Sequence, residues 1–174
     1  MFWRFVLALL LVFLAASDRC LALNNSTNGS LESRVITFCR QHLGKQVGNG
    51  ICEDLVDAAL KFAGAKVQRG AYYGRQVYSG TPGGQQPNFV GNLKQVKPGC
   101  VVHFNGPYKI GHYFSNSSEG HVAIIESPDQ DGTWHVYQQN YNNKKYVTEG
   151  ELKPIKLTKG SFQVFAPVAA GRKR

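Results

Sequence analysis

Acidic residues are scarce in this 174-residue chain, with 11 Asp and Glu against 20 Lys and Arg and a formal charge of +9. Such a balance favours acidic partners: bacterial walls, anionic glycans or membrane surfaces. The charge is scattered. Only Arg172-Lys173-Arg174 gathers it, in a run that reads as a solvated terminus. Long apolar runs are missing, with one exception. After Met1-Phe2-Trp3-Arg4 the chain is unbroken in its apolar character from Phe5 to Ala16. That run is too short for a comfortable membrane span, and no later segment offers one. Followed by the small residues of Cys20-Leu21-Ala22, it predicts a secretory signal peptide over residues 1–22. The expected location is extracellular, or the lumen of the secretory and endolysosomal pathway. Nucleic acid is an unnatural partner there. Asn24, Asn25, Asn28 and Asn116 each open a glycosylation acceptor pattern, which agrees with export in a eukaryotic host.

Cysteine is also sparse. Of four, Cys20 leaves with the signal, so Cys39, Cys52 and Cys100 remain. An odd number in an oxidising compartment implies a free thiol or an intermolecular bridge. Close Cys and His pairs at metal-ligand spacing are absent, so no metal is expected. Repeats and a second domain are absent as well. The organisation expected is a polar leader over 23–30 and one domain over 31–174, long enough to bury a core without staples.

Leu31, Val35, Phe38 and Leu43 recur at near-helical spacing, and Gly44 stops the run, so 31–43 is predicted helical. A glycine-rich loop spans 44–50. Leu55, Val56, Ala59, Leu60 and Ala63 then give a buried stripe to a helix over 52–65, with Glu53 and Asp54 in its first turn. Residues 70–91, rich in Gly, Pro, Gln and Tyr, read as a long functional or mobile loop. Strands are expected at 101–104, 121–126, 134–141, 144–147 and 161–166, with a turn at 128–132 joining a hairpin. Helices followed by an antiparallel sheet make the α+β pattern.

Cys52 opens the second helix behind Gly48-Asn49-Gly50-Ile51. A thiol there feels the positive end of the helix dipole, which favours the nucleophilic thiolate. The glycines let backbone amides approach a developing oxyanion. His121 starts a strand after Gly120. Strand alternation puts His121, Ala123 and Ile125 on one face. On the partner strand, Val136, Gln138 and Asn140 share a face. Gln138 or Asn140 thus falls beside His121, where its carbonyl would hold one ring nitrogen and leave the other free for the thiol. His42, His103, His112 and His135 lack such a neighbour in register. Tyr72, Tyr73 and Tyr78, with Phe89, could line a substrate groove or pack their loop over the core.

Gly50-Ile51-Cys52-Glu53-Asp54-Leu55-Val56, Lys97-Pro98-Gly99-Cys100-Val101-Val102-His103-Phe104, Gly120-His121-Val122-Ala123-Ile124-Ile125-Glu126 and Val136-Tyr137-Gln138-Gln139-Asn140-Tyr141 follow in this order. Together they resemble the papain-like CHAP and NlpC/P60-type cysteine amidases and peptidases, from about Val35 to Phe165. The resemblance implies N-terminal helices packed on a small antiparallel sheet. It implies Cys52 as nucleophile, His121 as base, and Asn140 as orienting residue with Gln138 close behind. It implies cleavage of amide bonds in peptidoglycan or a related peptide, with no cofactor. Two positions depart from the pattern. Cys100 stands where the group commonly has Asp, and pairing it with Cys39 would leave Cys52 free. An amide at Gln138 stabilises imidazolium less than a carboxylate. The alternatives are a protein-directed cysteine protease and a secreted binding module that kept the fold without the chemistry.

Overall fold

The computed structural model describes residues 29–68 and 73–171. The expected signal peptide, most of the polar leader, Tyr72 and the terminal Arg172-Lys173-Arg174 lie outside them.

Two helices come first. α1 spans Leu31–His42, and α2 spans Cys52–Ala63. α2 ends where its stripe predicts, because Gly64 adopts the left-handed conformation and its N–H caps the carbonyls of Leu60 and Lys61. Its start is fixed from the preceding loop. The buried Asp54 carboxylate reaches back to accept from the Asn49 N–H at 2.7 Å. Gly48 makes room for it, since a Cβ there would sit 2.8 Å from Asp54 Cγ.

Eight strands follow: β1 Arg75–Thr81, β2 Asn88–Gly91, β3 Val101–Ile110, β4 Tyr113–Ser115, β5 His121–Pro128, β6 Trp134–Gln138, β7 Thr148–Leu152 and β8 Leu157–Ala166. They form one antiparallel sheet in the order β2-β1-β8-β3-β5-β6-β7, with β4 paired to β3. The α+β class holds, but the sheet is larger than expected. The loop predicted over 70–91 contains β1 and β2, which pair with β8 and with each other. The strand expected at 144–147 lies instead at 148–152.

Each face of the sheet carries a core. Val101, Val122, Ile124 and Tyr137 pack against Val35, Cys39, Leu55, Val56 and Leu60 of the helices. The opposite face gathers Val102, Phe104, Ala123, Ile125, Trp134, Val136, Phe162 and Val164. Among the described residues, no helix covers this second core; the sheet covers it by curling. Tyr78 on β1 and Trp134 on β6 are separated by three intervening strands, about 19 Å in a flat sheet. Their rings stand 6.2 Å apart. Among the described residues, no helix is long and apolar enough to cross a membrane.

Candidate active site

The site lies where the start of α2 meets the start of β5. Ile51, in extended conformation, delivers Cys52 as the first helical residue. Gly120 delivers His121. Its φ is +75°, and a Cβ there would fall 2.0 Å from the Phe104 carbonyl oxygen, so only glycine fits. Cys52 and His121 line one cavity of about 700 Å³, together with Glu53, Tyr108, Glu119, Asn140 and Tyr141.

His121 is buried, and its Nε2 lies 3.1 Å from Gln138 Oε1. A carbonyl oxygen accepts, so Nε2 carries the proton and Nδ1 is left with its lone pair. Gly150 on β7 gives Gln138 its space, because a Cβ there would come within 2.6 Å of Gln138 Nε2. Asn140 does not share this role. The chain turns left-handed at Asn140, with φ 65°, and ends the alternation of β6. Asn140 lines the cavity, while its N–H donates to the Lys144 carbonyl at 2.7 Å. The same turn brings Tyr141 to the His121 side of the sheet, ring centroids 6.0 Å apart.

Burial pushes the Cys52 thiol above its ordinary value. The Val122 N–H pulls it back, the Glu53 carboxylate pushes it up, and the Glu53 and Cys52 amides pull it back again. Dipole-driven depression was expected, and desolvation outweighs it. Burial also holds the His121 pKa down at about 4; the Gln138 hydrogen bond opposes this and His103 adds to it. The resting site therefore holds a neutral thiol and a neutral imidazole. Among the described residues, no hydrogen bond joins the two. An imidazole with a free Nδ1 can take the thiol proton during attack rather than before it.

The remaining expectations divide. Tyr73 is buried in the helix-side core against Phe165 and His103, and Tyr78 is buried between Phe89 and Trp134. Neither lines the cavity. Strand pairing of 75–81 with β8 draws Tyr78 inward, and Tyr108, Phe114 and Tyr141 line the cavity instead. Cys39 and Cys100 are not bridged. Each is a buried free thiol, one in the helix-side core and one in the core on the opposite face. Among the described residues, no other histidine lines the cavity. His42 stacks on Phe38, His103 faces the helix side near Glu53, His112 is exposed, and His135 pairs with Asp129 at 2.8 Å.

One residue escaped the sequence reading. Gln139 is fully buried on the face opposite Gln138. Its Oε1 accepts from Val47 N at 2.8 Å, and its Nε2 donates to the carbonyls of Val47 at 3.0 Å and Ile51 at 2.8 Å. Adjacent amides at the end of β6 thus hold the histidine on one side and the segment leading to Cys52 on the other.

The family model for the AIM3/BBC1 Cysteine proteinase-fold domain matches residues 24–173. No curated protein matches the chain. Among solved structures, the crystal structure of Ly7917 aligns with a TM-score of 0.49 and 18% identity, over 80% of this chain and 63% of that one. The crystal structure of Ly7917 with the hydrolyzing product of MDP aligns with a TM-score of 0.48 and 18% identity, over 78% and 63%. The chain therefore spans less than two thirds of the length of these structures.

Proposed function

Because the chain belongs to the AIM3/BBC1 cysteine proteinase-fold domain family, we propose that it is a cysteine hydrolase of amide bonds, with Cys52 as nucleophile and His121 as base. The observation that carries this reading is the shared cavity of Cys52 and His121, with Gln138 fixing the ring so that Nδ1 is the free nitrogen. In the reaction, Cys52 Sγ attacks the carbonyl carbon as His121 Nδ1 takes the thiol proton. The tetrahedral intermediate collapses, and the departing amine takes that proton from His121. Water then cleaves the thioester by the same base.

The substrate class proposed is peptidoglycan or a related peptide, met outside the cell. The signal-like N-terminus and the basic charge support it. A second cavity of about 550 Å³ shares Tyr108 and Phe114 with the first and is lined also by Lys109, His112 and Lys159, which suits an anionic ligand.

The test is digestion of purified peptidoglycan by the mature protein and by Cys52→Ala, with released fragments read by mass spectrometry. Fragments from the wild type alone are expected, and Cys52→Ala keeps a melting temperature close to wild type. Equal fragment release by both proteins would refute the nucleophile assignment. A second reading, a binding module without chemistry, is favoured by the raised thiol and by the missing Cys52–His121 hydrogen bond. Wall binding with no fragments, under reducing conditions and across several wall types, would select it.

A further inference from the structure

We infer that the hydroxyl of Tyr108 is a catalytic hydrogen-bond donor, placed to hold the carbonyl oxygen as it gains charge during attack by Cys52. The inference rests on the cysteine-hydrolase reading and names a group that the dyad alone lacks. Attack moves the carbonyl π pair onto oxygen, and a buried site must stabilise that charge with donors already in place.

Tyr108 is 1% exposed, and its hydroxyl is buried with no hydrogen-bond partner among the described residues. Native proteins rarely tolerate such an orphan, and where they do it calls for an explanation. The position of Tyr108 supplies one. Its side chain lines the cavity that holds Cys52 and His121. Its ring is stacked on Phe104, centroids 4.4 Å apart, and Phe104 in turn lies parallel to His121 at 6.4 Å. This run of three rings fixes the direction of the phenol, and a carbonyl seated at Cys52 reaches the hydroxyl once substrate displaces the groups that close it from solvent. Burial keeps the phenol protonated far above its ordinary range. Tyr108 is therefore a donor at every working pH. The first-turn amide of Cys52, which has no intrahelical partner, is the natural second donor.

When Sγ bonds to carbon, the carbonyl oxygen becomes anionic and accepts from Tyr108 O–H and from the Cys52 N–H. The thiol proton rests on His121. Tyr108 gives up no proton, because the oxygen re-forms its double bond as the amine leaves.

The test separates this role from that of the nucleophile. Iodoacetamide alkylates a thiol without creating an oxyanion, whereas a peptide aldehyde adds to the thiol and places an oxygen where the oxyanion forms. Cys52 alkylation, followed by mass spectrometry, is measured with and without the aldehyde in wild type and in Tyr108→Phe. The variant removes only an unpartnered hydroxyl, so its melting temperature stays at the wild-type value. Equal alkylation rates are expected in the two proteins. Aldehyde protection is expected to weaken at least about 10-fold in the variant, and kcat on any cleaved substrate to fall about 100-fold. Equal protection in both proteins would overturn the inference. So would slower alkylation of the variant, which would place Tyr108 behind the thiol rather than before the substrate, and so would a wild type that is alkylated but never protected. A wild-type Cys52 that resists iodoacetamide altogether would strike down the nucleophile assignment first, and this inference with it.

Discussion

At the scale of single residues, the site depends on an imidazole kept neutral. In the proposed mechanism His121 must accept a proton, which it can do only above its own pKa of about 4. Activity is therefore expected to rise through about pH 4 and to stay high toward neutrality. Gln138→Glu places a carboxylate 3.1 Å from the ring and stabilises imidazolium. The acid limb of the pH–rate profile should then move up toward the ordinary histidine range; an unmoved limb would show that Gln138 does not set the ring's protonation. The same burial links stability to pH. In the unfolded chain His121 takes its proton near 6.5, and in the folded chain near 4. Between those values the unfolded state binds more protons. Stability thus falls as pH drops through this window, by up to about 3 kcal/mol. Much at this scale was legible in the sequence. Cys52 and His121 stood out because glycine precedes each element start. Asn140 looked equivalent to Gln138 only while β6 was taken to run on; a left-handed asparagine gives no periodic signal.

At the scale of elements, β6 joins the two halves of the site. Gln139 is the joint on the helix side, and Gln139→Leu removes three hydrogen bonds while leaving the Val47 N–H buried and unpaired. A loss of about 2–4 kcal/mol is expected by chemical denaturation. Cys52 alkylation should become faster, or lose its single rate, as the segment before it loosens. Unchanged stability and alkylation would show that the loop holds itself. Sequence could not single out this glutamine, since a buried amide and a solvated one read alike. The strands β1 and β2 escaped for a related reason. Their partners are β8, far along the chain, and each other, so glycine, proline and glutamine dominated the local pattern. β3 was read as a strand over 101–104 alone. It continues past Phe104 with a register shift against β8, and Tyr108 lies in that continuation.

At the scale of the whole molecule, the positive charge has a local concentration that composition does not reveal. Lys109 and Lys159 stand directly opposite each other across β3 and β8, on a second cavity that shares Tyr108 and Phe114 with the first. Like charges so placed oppose pairing. Lys109→Glu makes the pair attractive and should raise stability by roughly 0.2–1 kcal/mol. It should also weaken adsorption to an anionic wall, most visibly at low salt. Thermal denaturation and co-sedimentation read the two effects separately. Adsorption that survives the substitution would place wall contact elsewhere on the surface.

The strand order carries a consequence for biosynthesis. β8, the last of the described strands, lies between β1 and β3, and among the described residues it joins the β1–β2 pair to the strands that carry the histidine. Until residues 157–166 emerge from the ribosome, the early strands have no place in the sheet and the curl cannot close. Assembly therefore waits for residues 157–166, with much of its pairing spanning large separations, a topology that folds slowly. A nascent or truncated chain lacking β8 would hold the nucleophile, the base and the glutamines of β6, yet no closed sheet to set them. The order of the strands thus ties the setting of Cys52 and His121 to the synthesis of β8.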